Sequence, residues 1–201
     1  MTNREFDEVL AFHCSPALAG IKSANLITIG RRDCEDVRRY LDLYRRSFKQ
    51  MGISFEVLYE CESYMLVLLY RSSMLWKELS ASAIQRFLAE YGYHVWDSLE
   101  EVLLHLKERC CQNGFPHEIG LFLGFPLEDV IGFIRNKGQK YKLCGYWKVY
   151  SDETAALRKF ETFNLCRNDF CRRVKKGASI LDLFRASSSK VCLAQTAIES
   201  C

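Results

Sequence analysis

Cys14 stands directly before a Ser15-Pro16 pair in the stretch HCSPALAGIK. Serine is a good N-cap and proline suits the first helical position, so a short helix is expected from Ser15 to about Lys22. A thiolate at such a start feels the positive end of the helix dipole and unpaired N–H groups, both of which lower a thiol pKa. On that ground Cys14 is the expected nucleophile and the most reactive of the ten thiols. Its neighbour His13 is the candidate general base, provided the backbone turns the two side chains together, which adjacency alone does not ensure. Burial in an apolar pocket would act the other way and raise the thiol pKa. The plainer alternative is a buried cysteine beside a surface histidine.

Four further groups have types suited to ligand binding. Lys22 closes the expected Cys14 helix, and Arg71, just past an apolar strand, could hold an anion at a sheet edge. His117 and Glu118 fall in the first turn after Pro116, with no second histidine four residues on, so the zincin pattern H-E-x-x-H is absent. The side-chain types of His13, Cys14, His117 and Glu118 suit zinc or iron, but only if two distant motifs meet; no metal site is assigned. In GYWKVY, strand alternation puts Trp147 and Val149 on one side and Tyr146, Lys148 and Tyr150 on the other. An aromatic face carrying a lysine can stack a planar anionic ligand, and Gly145 leaves room for a backbone or ligand to approach. No G-x-G-x-x-G, P-loop or G-x-S-x-G elbow occurs, so no cofactor is identified.

Composition narrows the class without naming an activity. At 201 residues and 49% hydrophobic, the chain can bury a full core, and one domain is expected over residues 1–177. A formal net charge of +3 gives no electrostatic preference for a polyanion. MTNREFDEVLAFHCSP has no apolar core of signal-peptide length, and the longest apolar run, Tyr64–Tyr70, is too short to span a bilayer. A cytoplasmic protein with no membrane partner is therefore expected. Its cysteines form no C-x-x-C pair and no zinc array, and are read as reduced thiols used as small apolar residues.

The elements that must position these residues follow from caps and periodicity. NLITIG reads as a strand after Asn25, and Asp33 caps a helix with Val37, Leu41, Tyr44 and Phe48 on one stripe and Gly52 as its stop. ISFEVLYE and SYMLVLLYR form a hairpin whose second strand is apolar throughout, as suits a central, doubly covered position. Two amphipathic helices are expected at 73–91 and 98–112, a strand at KLCGYWKVY, and a long helix capped by Ser151 and ended by Gly177. Residues 178–201 read as a partly ordered tail. The whole is an α/β or α+β fold, with a small mixed sheet of about four strands packed by several helices.

FPHEIGLFLGFPLEDVIGFIRNKG has the pattern of a helix-turn-helix over residues 116–137. Gly120 allows close helix approach, Phe125 packs in the turn, Pro126 starts the second helix, and Val130 and Ile134 face inward. A DNA-reading helix needs donors for base edges and phosphates, whereas Leu127, Glu128, Asp129, Ile131 and Gly132 are expected on the outer face. Two carboxylates there repel phosphate, so nucleic acid is disfavoured as a partner.

HCSPALAGIKSANL, FPHEIGLFLGFPLEDVIGFI and CGYWKVY, in that order, resemble the bacterial domain-of-unknown-function family 3793 over about residues 8–175. The resemblance implies a small cytosolic protein of anaerobic bacteria with no assigned activity or catalytic residues. Two functions remain open. One is a small-molecule site between the Cys14 helix start, the helical hairpin and the Gly145–Tyr150 strand, acting through thiol or redox chemistry. The other is a regulatory module that uses the hairpin to hold a protein partner. The first should gather Cys14, His117 and Lys148 around one pocket; the second should expose Leu127 and Ile131 on a flat apolar patch.

Overall fold

The apolar strand Tyr64–Arg71 is the centre of the molecule. In the computed structural model, which describes residues 1–94, 98–112 and 115–183, it is β3 of an antiparallel sheet ordered β1-β3-β2. Its partners are β1 (Ala24–Gly30) and β2 (Ile53–Glu60). Side chains alternate across a strand, so Met65, Val67 and Leu69 point to one face and Leu68 to the other. Both faces are covered, which is why every position from Met65 to Leu69 is apolar and buried.

On the first face lie α1 (Asn3–Leu18) and α2 (Cys34–Gln50), the latter burying the expected stripe Val37, Leu41, Tyr44 and Phe48. Gly52 and Gly177, at φ +70° and +97°, follow α2 and α8 (Glu153–Lys175) in the left-handed region that ends helices. The second face is covered by α3 (Ser72–Leu79), α4 (Ser82–Ala89), α5 (Leu99–Cys111), α6 (Ile119–Phe122) and α7 (Leu127–Arg135). The helix expected at 73–91 is thus two short helices, broken at Ser80 and Ala81. A third cluster joins α8 to a two-stranded ribbon, β4 (Leu143–Cys144) and β5 (Lys148–Val149). The fold is α/β, and among the described residues its five strands are divided between two antiparallel sheets rather than gathered in one mixed sheet.

Three expectations are corrected. The helix expected to begin at Ser15 is the last turn of α1, which runs unbroken through Cys14, Ser15 and Pro16. Proline removes one backbone donor and disturbs the turn before it. Here the disturbance falls at a helix end: the Ala17 N–H donates to Asn25 Oδ1 at 3.1 Å, and Arg71 donates to the Ala17 and Leu18 carbonyls. KLCGYWKVY is not one strand but a tight hairpin that turns at Gly145–Trp147, closed by the Gly145 N–H on the Trp147 carbonyl. Asp152, not Ser151, caps α8, its Oδ1 accepting from the Ala155 N–H.

The first residues of the expected tail pack on the body. Ile180 and Leu183 are buried in the core against α1 and α2, and the Ile180 N–H donates to Asp7 Oδ2, a buried carboxylate that also accepts from the Tyr44 hydroxyl. Residues 184–201, the rest of the expected tail, lie outside the described residues. Burying side chains of this size stabilises a fold by ~1.5–3 kcal/mol each. A chain truncated after residue 177 should therefore melt at least about 5 °C below one truncated after residue 183. Equal melting temperatures would show that the 178–183 segment adds nothing to the core.

Candidate functional site

Asp129 is 2% exposed in the first turn of α7, and three donors converge on it. The Trp147 indole N–H reaches Oδ2 at 2.7 Å, and the Tyr150 and Ser151 amides reach Oδ1 at 2.7 Å each. Burial alone would raise this carboxyl's pKa; the donors from Tyr150, Trp147 and Ser151 outweigh it and hold the group below the ordinary aspartate value. Its stabilising contribution is accordingly complete above the ordinary aspartate pKa and fades as acid takes the solution down through the depressed value. The clasp draws the ribbon against α7. Gly132 makes that approach sterically feasible, since a Cβ there would lie 2.5 Å from Tyr150 Cγ. The space beside Gly145, expected to admit a ligand, is filled by Phe160, whose ring would meet a Cβ at 2.3 Å.

Trp147, fixed by this clasp, stacks on Phe125 at 5.0 Å and meets Phe160 edge-on at 4.6 Å. Lys22 also stands against Phe125, its Nζ 5.2 Å from the ring centroid. The three sequence motifs therefore meet around Phe125.

Between α6–α7 and the ribbon is a cavity of about 390 Å³. Phe115, Phe125, Phe133 and Trp147 supply its aromatic lining, and His117, Cys144 and Lys148 its available polar groups. His117, Phe115 and Cys144 are exposed and mark the mouth. The His117 ring sits edge-on to Phe133 at 5.1 Å. Lys148 Nζ donates to the Gly138 carbonyl at 2.7 Å and lies 4.9 Å from the Tyr141 ring centroid, so its charge is aimed while further N–H donors remain for a ligand.

The other candidates lie elsewhere. Cys14 is fully buried in the α1–α2 core, and burial pushes its thiol up to about 12, only partly offset by Lys22. The helix-start argument for a reactive thiolate fails because Cys14 is near the end of α1, where the dipole is of the opposite sign. Consecutive helical residues point about 100° apart, and His13 is exposed beside Phe12 and Arg167 while Cys14 faces the core, so the two form no nucleophile–base pair. Arg71 caps α1. Glu118 is 1% exposed, ion-paired to Arg109 at 2.8 Å and accepting from the Tyr93 hydroxyl at 3.3 Å; it ties α6 to α5. The Tyr146 hydroxyl donates to Asn164, and Tyr150 packs on Gly132 with its hydroxyl buried. Lys22, 8% exposed, is brought down to about 8 by burial, against the opposing pull of Cys14 and Glu78. Among the described residues no three His, Cys, Asp or Glu side chains are grouped to hold a metal, and none of the helices is long and apolar enough to cross a membrane.

The outer face expected for α7 is corrected too: Asp129 is buried and Gly132 is covered by Tyr150, while Leu127 and Ile131 are half-buried. Sequence reasoning missed Phe125 as the meeting point, Asp129 as the clasp and Cys144 as the thiol at the cavity. One signal was available. Asp129 and Gly132 are three apart on a helix, so an acid and a space for close approach share one face.

All eight cysteines among the described residues are free. Limiting iodoacetamide at neutral pH should label the exposed Cys144 and Cys111 well before Cys14, read by peptide mass spectrometry of the folded, reduced protein. Labelling of Cys14 ahead of both would contradict its burial.

No curated protein and no solved structure matches the chain. A family model described as "Protein of unknown function (DUF3793)" matches residues 10–184, a span that takes in the docked 178–183 segment as well as all three motifs. The chain belongs to that family.

Proposed function

We propose that this protein is a cytoplasmic small-molecule-binding protein whose ligand occupies the cleft between α6–α7 and the β4–β5 ribbon. The observation that carries this reading is the preformed, aromatic-lined cavity of about 390 Å³, into which His117 and Lys148 come from motifs distant in sequence. Its volume falls in the range of ordinary ligand sites, and a mostly apolar wall with a few aimed polar groups is the usual composition of such sites. The chemistry favours a flat, largely apolar molecule that stacks on Phe125, Phe133 or Trp147 and carries an acidic group toward Lys148. Free thiols across the described residues suit a reducing compartment.

Thiol chemistry at Cys14 does not belong to this reading, because the residue lies in a different core from the cleft. The alternative, a hairpin that docks a protein partner, is less well supported: Leu127 and Ile131 are half-buried rather than part of an open apolar patch.

Anilinonaphthalene sulfonate, an aromatic anion, is a suitable probe. It should bind one-to-one and quench tryptophan emission through its proximity to Trp147. Lys148→Met should weaken it about tenfold, equivalent to ~1.4 kcal/mol. Unsaturable binding, or an affinity unchanged by Lys148→Met, would overturn the assignment of the cleft.

A further inference from the structure

A second cavity, of about 220 Å³, lies on the side of the hairpin turn facing α8. Its lining includes Lys22, Ser23, Glu78, Gly124, Arg158 and Lys159, so it is far more polar in character than the cleft and carries three cations against one carboxylate. Lys22 is more than nine-tenths buried, with Phe125 and Phe163 against its ammonium at 5.2 and 5.8 Å. Among the described residues no carboxylate lies within 4.0 Å of Lys22, Arg158 or Lys159. A buried ammonium without a close counter-charge is unfavourable unless something else supplies one.

The polar atoms around it are likewise unspent. Ser23 is fully buried and its Oγ has no hydrogen-bond partner among the described residues; neither has Glu78 Oε2. Both lie against the same empty position, 3.0 and 3.3 Å from where a Cβ on Gly124 would stand. Gly124, at φ +68°, thus leaves open a space bordered by one hydroxyl and one carboxylate oxygen.

We propose that this cavity binds a compact oxyanion that also carries a hydroxyl group. The negative oxygens would be held by Lys22 and Ser23 within and by Arg158 and Lys159, which are exposed, at the entrance. Glu78 Oε2, an acceptor with no donor, takes the ligand's O–H; this is what distinguishes the site from a general anion trap. Hydrogenphosphate and 2-hydroxy carboxylates share this chemistry. The site is separate from the cleft, and neither assignment depends on the other.

Isothermal titration calorimetry at constant ionic strength, made up with sodium chloride, tests this with inorganic phosphate, lactate and propionate. Saturable one-to-one binding of phosphate or of lactate is expected, and whichever binds identifies the source of the oxyanion. Lactate should bind at least fivefold tighter than propionate if it is the carboxylate arm that binds; equal affinities would overturn the role given to Glu78. Lys22→Met should weaken binding at least tenfold. Ser23→Ala and the exposed double variant Arg158→Gln/Lys159→Gln, which leave the core packing intact, should each weaken it at least threefold. Lys148→Met should leave it unchanged, which separates this site from the cleft. No saturable binding of phosphate or lactate would mean that the cavity holds ordered water only. Undiminished affinity in Ser23→Ala and the double variant would equally overturn the proposal, whether or not Lys22→Met folds.

Discussion

The position of the site depends on one buried carboxylate. Asp129 takes the Trp147 indole N–H and the Tyr150 and Ser151 amides, all at 2.7 Å, and so joins α7 to a ribbon whose strands are only two residues long. A hairpin that short is marginal in isolation, because it has too few ladder bonds and too little apolar area to offset its chain entropy. Its order comes from its surroundings: Phe160 fills the space beside Gly145, Tyr150 that beside Gly132, and Asp129 accepts from the half-buried backbone donors of Tyr150 and Ser151. Trp147 is held in the same network, so the aromatic wall of the cleft depends on the clasp as well.

Phe125 is shared by the two sets of groups. Its ring stacks on Trp147 and lines the larger cavity, while Lys22, against the same ring, lines the smaller, polar one. Apolar and ionic surroundings thus lie within a few ångströms of each other. The charge of Lys22 stays out of the aromatic cleft, and the cleft keeps only the groups at its margin, His117, Cys144 and Lys148, for polar contact.

Much of the sheet and its helices was legible in the sequence, because hydrophobic period and turn residues decide them locally. The run MLVLL could only suit a strand covered on both faces, and the stripe from Val37 to Phe48 could only suit one buried helix face. Local rules failed where distant residues satisfied a local defect. Pro16 signals a helix start, yet Asn25 accepts from the Ala17 N–H and Arg71 donates to the last carbonyls of the helix, so α1 continues through the proline to Leu18. That displacement removed the basis for Cys14 as a reactive thiol. Of the nine candidate residues, His117 and Lys148 share the cleft and Lys22 borders it through Phe125; Glu118, Arg71, Tyr146 and Tyr150 are held in structural contacts. Asp129 was misplaced because a carboxylate in a first helical turn is ordinarily solvated, and its donors lie 18 to 22 residues away in a hairpin that the sequence presents as a plain strand.

The Asp129 clasp is most directly tested by native-state hydrogen exchange, followed by nuclear magnetic resonance at the Trp147 indole and the Tyr150 and Ser151 amides. All three protons should exchange as slowly as the amides of β3. In Asp129→Asn, which keeps the volume but loses the charge and one acceptor oxygen, they should exchange at least tenfold faster while β3 stays protected. Rapid exchange of the three protons in the unaltered protein, or rates that Asp129→Asn leaves unchanged, would contradict a ribbon and cleft organised by this carboxylate.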